Sequence, residues 1–544
     1  MLFQNCVGRA VGRFLPNPEF VGRIGRKRVA VAQVPRARVA RQIGNAVGRS
    51  TMRARRGRKR FHKRKCNEVG APFFKLQVSR FTFRRYTSPV QLSLYNTLSR
   101  SKEPFAPREE GKVSLYVCGV TPYDALHIGH ARAFMAYDVL RRVLESRGLV
   151  VNHIQNVTDV EDKIIERARE SGIAPQELAN NFAEQAREDT VSLGILPAHD
   201  YPRVSDNIIP ILDLIQGLET KGFAYARGGD VYFDVSKDDD YGKLSGQRVE
   251  DLEAGARIDS EEKKDDPLDF ALWKSAKSGE PSWDSQYGPG RPGWHIECSA
   301  MALKALGPNF DIHGGARELV FPHHENEVAQ SESFLDGESF AKVWWHCGEL
   351  RVEGKKMSKS LGNFLTVHDA LNLAEKNVWR LLFLMTHPRS PLDYSDSRLE
   401  QSKSSWARLH NVLAEKSTPE FGRTFGSHAA QTFLHKFDSA LDDDLNTPDA
   451  LAAIFDGISE WHRAHDDELA LALRGSLELL GFTFEAQSVG DERTPQLIEL
   501  LVEVRNQARE RRDWKGADAI RNRLQEMGIV LEDAPDGTKW KIER

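Results

Sequence analysis

Residues 114–157 carry a short apolar run, a turn, a long helical pattern and a second apolar run, and this order confines the chain to few folds. Ser114–Cys118 (SLYVC) is too short for a helix and shows no polar alternation, so it reads as a buried strand. HIGHARAFMAYDVLRRVLESRG follows, with Phe134, Val139, Leu140, Val143 and Leu144 at helical spacing on one face and Gly148 as the stop. Val150–Val157 (VVNHIQNV) reads as the next strand and Asp162–Ser171 as the next helix. Strand, crossover helix and strand in this order predict a doubly wound, parallel α/β sheet.

The rest of the chain divides around that unit, which is expected to span 94–400. Short strands such as Asp230–Val235, a charged stretch Asp259–Asp266 and frequent Gly and Pro mark 205–290 as an insertion between its two halves. The core resumes at Gly293–Met301, and 340–400 contains a Lys- and Ser-rich loop. Residues 401–494 read as a helical bundle, with Asp442–Asp444 as a solvated helix end. A small unit follows at 495–544, opening on a helix at Pro495–Arg512. No run approaches the ~18 apolar residues of a spanning helix, so no membrane partner is expected. Five scattered cysteines do not make a disulfide framework, and a reducing compartment is the default.

Charge is split along the chain. Residues 1–90 hold 23 Lys and Arg against two acids, Glu19 and Glu68, a net of +21 that leaves the remainder at −23. The Arg-rich, acid-poor arm at 1–86 lacks the apolar stretch of a secretory signal and is read as an organelle transit peptide. Its low Ser content favours mitochondrion over chloroplast. A basic RNA-binding tail, or a misplaced start that would leave a cytoplasmic protein, are the competing readings.

Chemistry enters with His127-Ile128-Gly129-His130. Two imidazoles three residues apart share one face of a first helical turn. The amides and positive dipole end of that turn suit a phosphate, and Gly129 lets a nucleotide approach the backbone. Lys356-Met357-Ser358-Lys359-Ser360 supplies cations and hydroxyls on a Gly-flanked loop, suited to the charge that grows on a reacting triphosphate. Together, in this order, HIGH and KMSKS resemble the signatures of the class I aminoacyl-tRNA synthetases.

Cys118, Cys298, His323 and Glu327 form a third constellation. Two thiolates, an imidazole and a carboxylate are competent zinc ligands, although buried cysteines and a helix-surface ion pair would give the same residues. The surrounding stretches YVCGVT, GRPGWHIECSAM, FPHHENE, KMSKSLGNF and DLNTPDALA resemble cysteinyl-tRNA synthetase over residues 94–544. That resemblance implies a Rossmann-like domain, a helical anticodon-binding bundle, and ATP-dependent ligation of L-cysteine to tRNA(Cys) through a cysteinyl-adenylate. It implies that Cys118, Cys298, His323 and Glu327 hold zinc, one ion per chain, which selects the substrate thiolate. It further implies that Thr158 and His313 hydrogen-bond the substrate, that Trp294 packs against it, and that His127, Gly129, His130, Lys356 and Lys359 serve ATP, with magnesium. His324 and Glu325 are read either as groups that support the ligands from behind or as surface groups, and Cys347 as a buried thiol. Pro122, Ala316, Glu318 and Gln286-Tyr287 depart from the family pattern. A monomer is expected rather than a dimer. The alternative is a cysteine ligase of the mycothiol type, which shares the core but lacks the long C-terminal region.

Overall fold

A computed structural model describes residues 92–248, 263–357, 363–416, 425–484, 493–527, 529–534 and 537–542. The basic arm, part of the charged stretch 259–266, and Lys359 with its Ser neighbours lie outside the described residues. An antiparallel pair, β1 (Ser93–Asn96) and β2 (Ser101–Pro104), leads into β3 (Lys112–Val120), α1 (Ile128–Ser146) and β4 (Val150–Val157). Three helices follow: α2 (Asp162–Ser171), α3 (Pro175–Ser192) and α4 (Ile208–Lys221). Next come the antiparallel strands β5 (Ala224–Arg227), β6 (Asp230–Phe233), β7 (Phe270–Ser275) and β8 (Gly290–Pro292). The chain then returns through α5 (Trp294–Leu306), β9 (Phe310–Ala316), α6 (Glu325–Phe334) and β10 (Ala341–Cys347).

The main sheet runs β10-β9-β3-β4 with every pair parallel. The chain leaves β3 toward β4 on one side, and β9 leads to β10 on the other. The order therefore reverses between β3 and β9, and ligands bind beyond the carboxyl ends of strands at such a point. β9 is almost wholly buried and β3 is buried along its centre, Leu115–Cys118, as parallel strands covered on two faces must be. The expected strand at 230–235 ends at Phe233, where Asp234 caps a short turn by accepting from the Ser236 amide.

α1 differs from the one-faced helix its periodicity suggests. Every residue from Ala131 to Leu140 is buried, because the sheet covers one side and C-terminal helices the other. Its polar residues are tolerated because each has partners. Asp138 is bound by Arg142 and by Arg380, and Arg132 donates to the Gly348 and Glu349 carbonyls.

After β10 come β11 (Leu350–Val352), β12 (Lys355–Lys356), α7 (Val367–Leu373), α8 (Lys376–Leu384) and β13 (Leu392–Tyr394). A bundle of α9 (Asp396–Leu413), α10 (His428–Asp442), α11 (Thr447–Ala464) and α12 (Asp467–Leu479) is next. One apolar cluster runs from Leu92 through α1 and the sheet to Leu480 and Phe482, so bundle and sheet share a core. Polar ties reinforce the union: Arg380 donates to the Leu480 carbonyl, and Arg147 at the end of α1 pairs with Asp438 and Asp442 of α10.

Asp444 corrects the reading of its acidic run as a solvated helix end. It is fully buried, accepting from the Tyr95 amide at 2.9 Å and Trp345 Nε1 at 3.1 Å, and pairing with Arg389. Only Asp443 of the three turns mainly to solvent. The last unit, α13 (Arg493–Glu510), α14 (Trp514–Glu526), β14 (Ile529–Ala534) and β15 (Gly537–Ile542), has a separate small core around Ile498, Val502, Leu524 and Leu531.

Candidate active site and metal centre

Three segments converge beyond the ends of β3 and β9. Cys118 lies near the end of β3, Cys298 in the first turns of α5, and His323, His324 and Glu327 in the kinked turn that opens α6. All five side chains are buried. Cys118 Sγ stands 3.7 Å from Cys298 Sγ and 3.6 Å from Glu327 Oε1, and His323 Nε2 is 3.0 Å from the same oxygen. Two thiolates ~2.3 Å from a tetrahedral ion must lie about 3.8 Å apart, and a thiolate and carboxylate about 3.5 Å apart. These two spacings suit ligands of one ion, and the two cysteines are free thiols. Among the described residues the donors that all lie within 4.8 Å of one another are Cys118, His323, His324 and Glu327, a set without Cys298.

Of its two readings, the surface one does not hold for His324. Its Nε2 sits 3.2 Å from Cys118 Sγ, and it joins Cys118, His323 and Glu327 in a group that could hold a metal ion. Its Nδ1 is tied to His346 Nε2 at 2.7 Å, whose other nitrogen meets Thr97 Oγ1. Glu325 is also buried, and its carboxylate accepts from the amides of Gly242, Leu244 and Ser245, pinning the inserted segment to α6.

The donors polarise one another. Burial and the adjacent Cys298 push the Cys118 thiol up, while the hydrogen bond from Cys118 brings Cys298 down to about 6 against the effect of burial. Burial alone would lower His323, yet Glu327 and Cys298 raise it to about 10. Burial would raise Glu327, yet the imidazoles of His313 and His323 hold it at about 2. A thiol beside an easily ionised thiol, an imidazole and a carboxylate is a donor set ready for a soft cation.

A cavity of ≈ 530 Å³ connects this cluster to the HIGH turn. Cys118, Cys298, His323, Trp294 and Thr158 line one part, and His127, Gly129, His130 and Met357 another. Trp294 is 38% exposed and stacks on His323 with centroids 4.4 Å apart, which excludes an ordinary core role. Thr158 accepts from Asn156 Nδ2 at 3.2 Å. His313 does not border the cavity; its Nε2 meets Glu327 Oε2 at 2.8 Å. Glu318, a departure from the family pattern, does line it.

The HIGH turn is built differently from a helix end with open amides. His127 is the N-cap of α1, and its Nδ1 accepts from the Gly129 amide at 3.1 Å and the His130 amide at 3.4 Å. His130 Nδ1 accepts in turn from the His127 amide, completing a reciprocal cap, and the two rings stack 3.8 Å apart. These amides are thus taken, so an anion at this turn would meet the two imidazole rings rather than open backbone N–H groups. Burial and the adjoining His127 lower His130 to about 3, so it is neutral at physiological pH. The segment beyond the KMSKS loop is fixed to this turn: the Ile128 amide donates to the Leu365 carbonyl, the Val367 amide to the Leu126 carbonyl, and Phe364 meets the His127 ring edge-on. Lys356 lies on β12, paired in register with Arg351.

Comparison with known proteins agrees with this geometry. Residues 104–404 match the family model of the class I (C) tRNA synthetase catalytic domain, 436–484 a DALR domain, and 492–540 a cysteinyl-tRNA ligase anticodon binding domain. Cysteine–tRNA ligase from Desulfitobacterium hafniense is 44% identical over 84% of this chain and 100% of its own, and that of Stutzerimonas stutzeri is 46% identical over 83% and 100%. The chain belongs to the cysteinyl-tRNA synthetase family. The fold is shared more widely: the LeuRS of Agrobacterium radiobacter K84, solved in a ternary complex with tRNA and LeuAMS, superposes with a TM-score of 0.52 at 13% identity, over 69% of this chain and 84% of that one.

Sequence reasoning left His324 and Glu325 between a supporting and a surface role, and it missed His346. The first two stand beside a metal-competent residue in FPHHENE, where the doubled histidine was the available signal. His346 adjoins Cys347, which is buried as expected, but nothing local shows that it faces His324.

Proposed function

We infer that this chain ligates L-cysteine to tRNA(Cys) using ATP, in two steps through a cysteinyl-adenylate. The observation that carries this reading is one cavity with a thiol-competent donor cluster at one end and the HIGH turn at the other. Cysteine would sit with its side chain at the cluster, packed by Trp294 and hydrogen-bonded by Thr158, which aims its carboxylate at the α-phosphorus. His127 and His130 each accept a backbone amide at Nδ1, which leaves Nε2 of each ring as the donor. Both would donate to phosphate oxygens, His130 without adding charge. The charge compensation then falls to Lys356, Lys359 and the magnesium that accompanies ATP.

Cys118, Cys298, His323 and Glu327 would hold the metal, with His324 as a fifth donor at hand. Zinc bound there would supply a soft Lewis acid that prefers a thiolate to a hydroxyl. A pocket that judged shape alone would separate cysteine from serine by only ~1–3 kcal/mol. Residues 492–540 favour this reading over the mycothiol-type ligase, since they match an anticodon binding domain. The reading extends to a monomer, and to an arm at 1–86 that directs the protein to an organelle, mitochondrion before chloroplast. A fluorescent fusion of residues 1–90 should enter that organelle, and a cytosolic signal would reject the assignment.

The test is ATP–pyrophosphate exchange, with and without tRNA. Cysteine should support exchange without tRNA, and serine should be rejected by well over the ~10²-fold of a shape-only pocket. Exchange with cysteine but no charging of tRNA would favour the other ligase.

A further inference from the structure

The sequence resemblance puts His313 on the substrate, and the structure puts it elsewhere. His313 lies at the centre of β9 and pairs in register with Tyr116 of β3 and Trp344 of β10. Its ring is 0% exposed, stacked on Trp344 with centroids 4.4 Å apart and 18° between planes, and met edge-on by Tyr116 at 5.3 Å. Phe340 closes a third side at 5.7 Å. Within this aromatic slot the ring cannot turn toward the cavity, and its Nε2 faces Glu327 Oε2 at 2.8 Å. The other carboxylate oxygen, Oε1, faces His323 Nε2 at 3.0 Å and Cys118 Sγ at 3.6 Å.

We propose that His313 is a positioning residue for the metal centre: it ties up one oxygen of Glu327, so that the carboxylate offers a single, fixed oxygen to the ion. This rests on the metal reading above and deepens it. A carboxylate with both oxygens free could chelate with two or rotate away. Tethered from behind, it is a one-point ligand whose direction the sheet sets through His313. Hydrogen bonds of this kind orient ligands, and their loss commonly weakens metal affinity ~10–100-fold.

The experiment compares His313→Gln with His313→Asn in full-length protein loaded with cobalt(II). Both replace the ring by an amide in the same slot and share its packing loss, but only glutamine places a donor near the Nε2 position. We expect His313→Asn to weaken cobalt affinity, read by chelator competition, about 10–100-fold and to change the visible absorption spectrum. His313→Gln should recover most of both. At saturating metal the cysteine KM should stay near wild type in each. Wild-type affinity and spectrum in both variants with a raised cysteine KM would overturn the proposal in favour of a substrate contact. Equal loss in both would overturn it in favour of packing. If neither variant folds, Trp344→Phe, which lets the imidazole tilt, is read in the same way: lowered affinity is expected, and unchanged affinity overturns the proposal. A wild-type protein that takes up no cobalt refutes the metal reading itself, before any variant is compared.

Discussion

Replacing Asp138 by Asn should cost about 3–5 kcal/mol of stability, the usual penalty for leaving buried charge without its partner. Asp138 lies in the middle of α1 with 0% of its side chain exposed. Arg142 Nε is 3.0 Å from both of its oxygens, Arg380 Nη1 is at 2.8 Å, and the Leu196 amide donates at 3.0 Å. The arginines are themselves 2% and 1% exposed, so water does little to screen the interaction. Asparagine keeps the volume and one acceptor but removes the negative charge between two cations, and arginine does not shed its proton to compensate. Against a typical total of ~5–15 kcal/mol, the loss is large. Burial alone would raise the Asp138 pKa, but Arg142 and Arg380 hold it below the usual range. A depressed folded pKa gives stability that is complete above the unfolded value near 4 and lost as pH falls through the folded one. The gap between wild type and variant should therefore be flat from about pH 5 to 8 and close below about pH 4. Denaturant midpoints followed by two probes would measure it, since a chain of several units need not unfold in one step. A gap under ~1 kcal/mol at pH 7, or one that widens on acidification, would refute the reasoning.

Four further outcomes follow from the site and the core. A Cβ at Gly129 would stand 2.8 Å from the His127 ring, so Gly129→Ala should displace that ring and lower pyrophosphate exchange roughly 10²-fold while metal content stays unchanged. Wild-type protein should carry about one zinc by elemental analysis and Cys298→Ser should lose it, a hydroxyl being a poor substitute for a thiolate. A chain ending at Phe484 should stay folded and activate cysteine, since the last unit has its own core, but should charge tRNA at least ~10-fold less well. A cut near Arg398 would instead strip α9–α12 from the shared core and should give insoluble protein.

How much of this was legible depended on the distance between partners. β4 and α2 were readable to the residue because their signals are local. The metal-competent residues stood in recognisable short stretches, and so did the HIGH histidines. The acidic run ending at Asp444 reads as solvated until its partners are known, and these lie 55 residues away at Arg389 and 349 away at Tyr95. His313 faces Glu327 because β9 is inserted between β3 and β10, an order that no window of sequence encodes. That the HIGH amides are capped also escaped the sequence, because the pattern locates a helix start without showing which group fills it.

α1 begins at the HIGH turn and ends where Arg147 grips α10 of the bundle. Nineteen residues of α-helix make a rod about 28 Å long, braced at its midpoint by Asp138 and Arg380. A rod held at its middle is a lever. A tilt of about 4° around that midpoint moves each tip by about 1 Å over its ~14 Å arm. Displacements of that size at a reacting centre can change rates ~10²-fold. Strain placed on the helical bundle would thus reach His127 and His130 as a movement of the far tip of one helix.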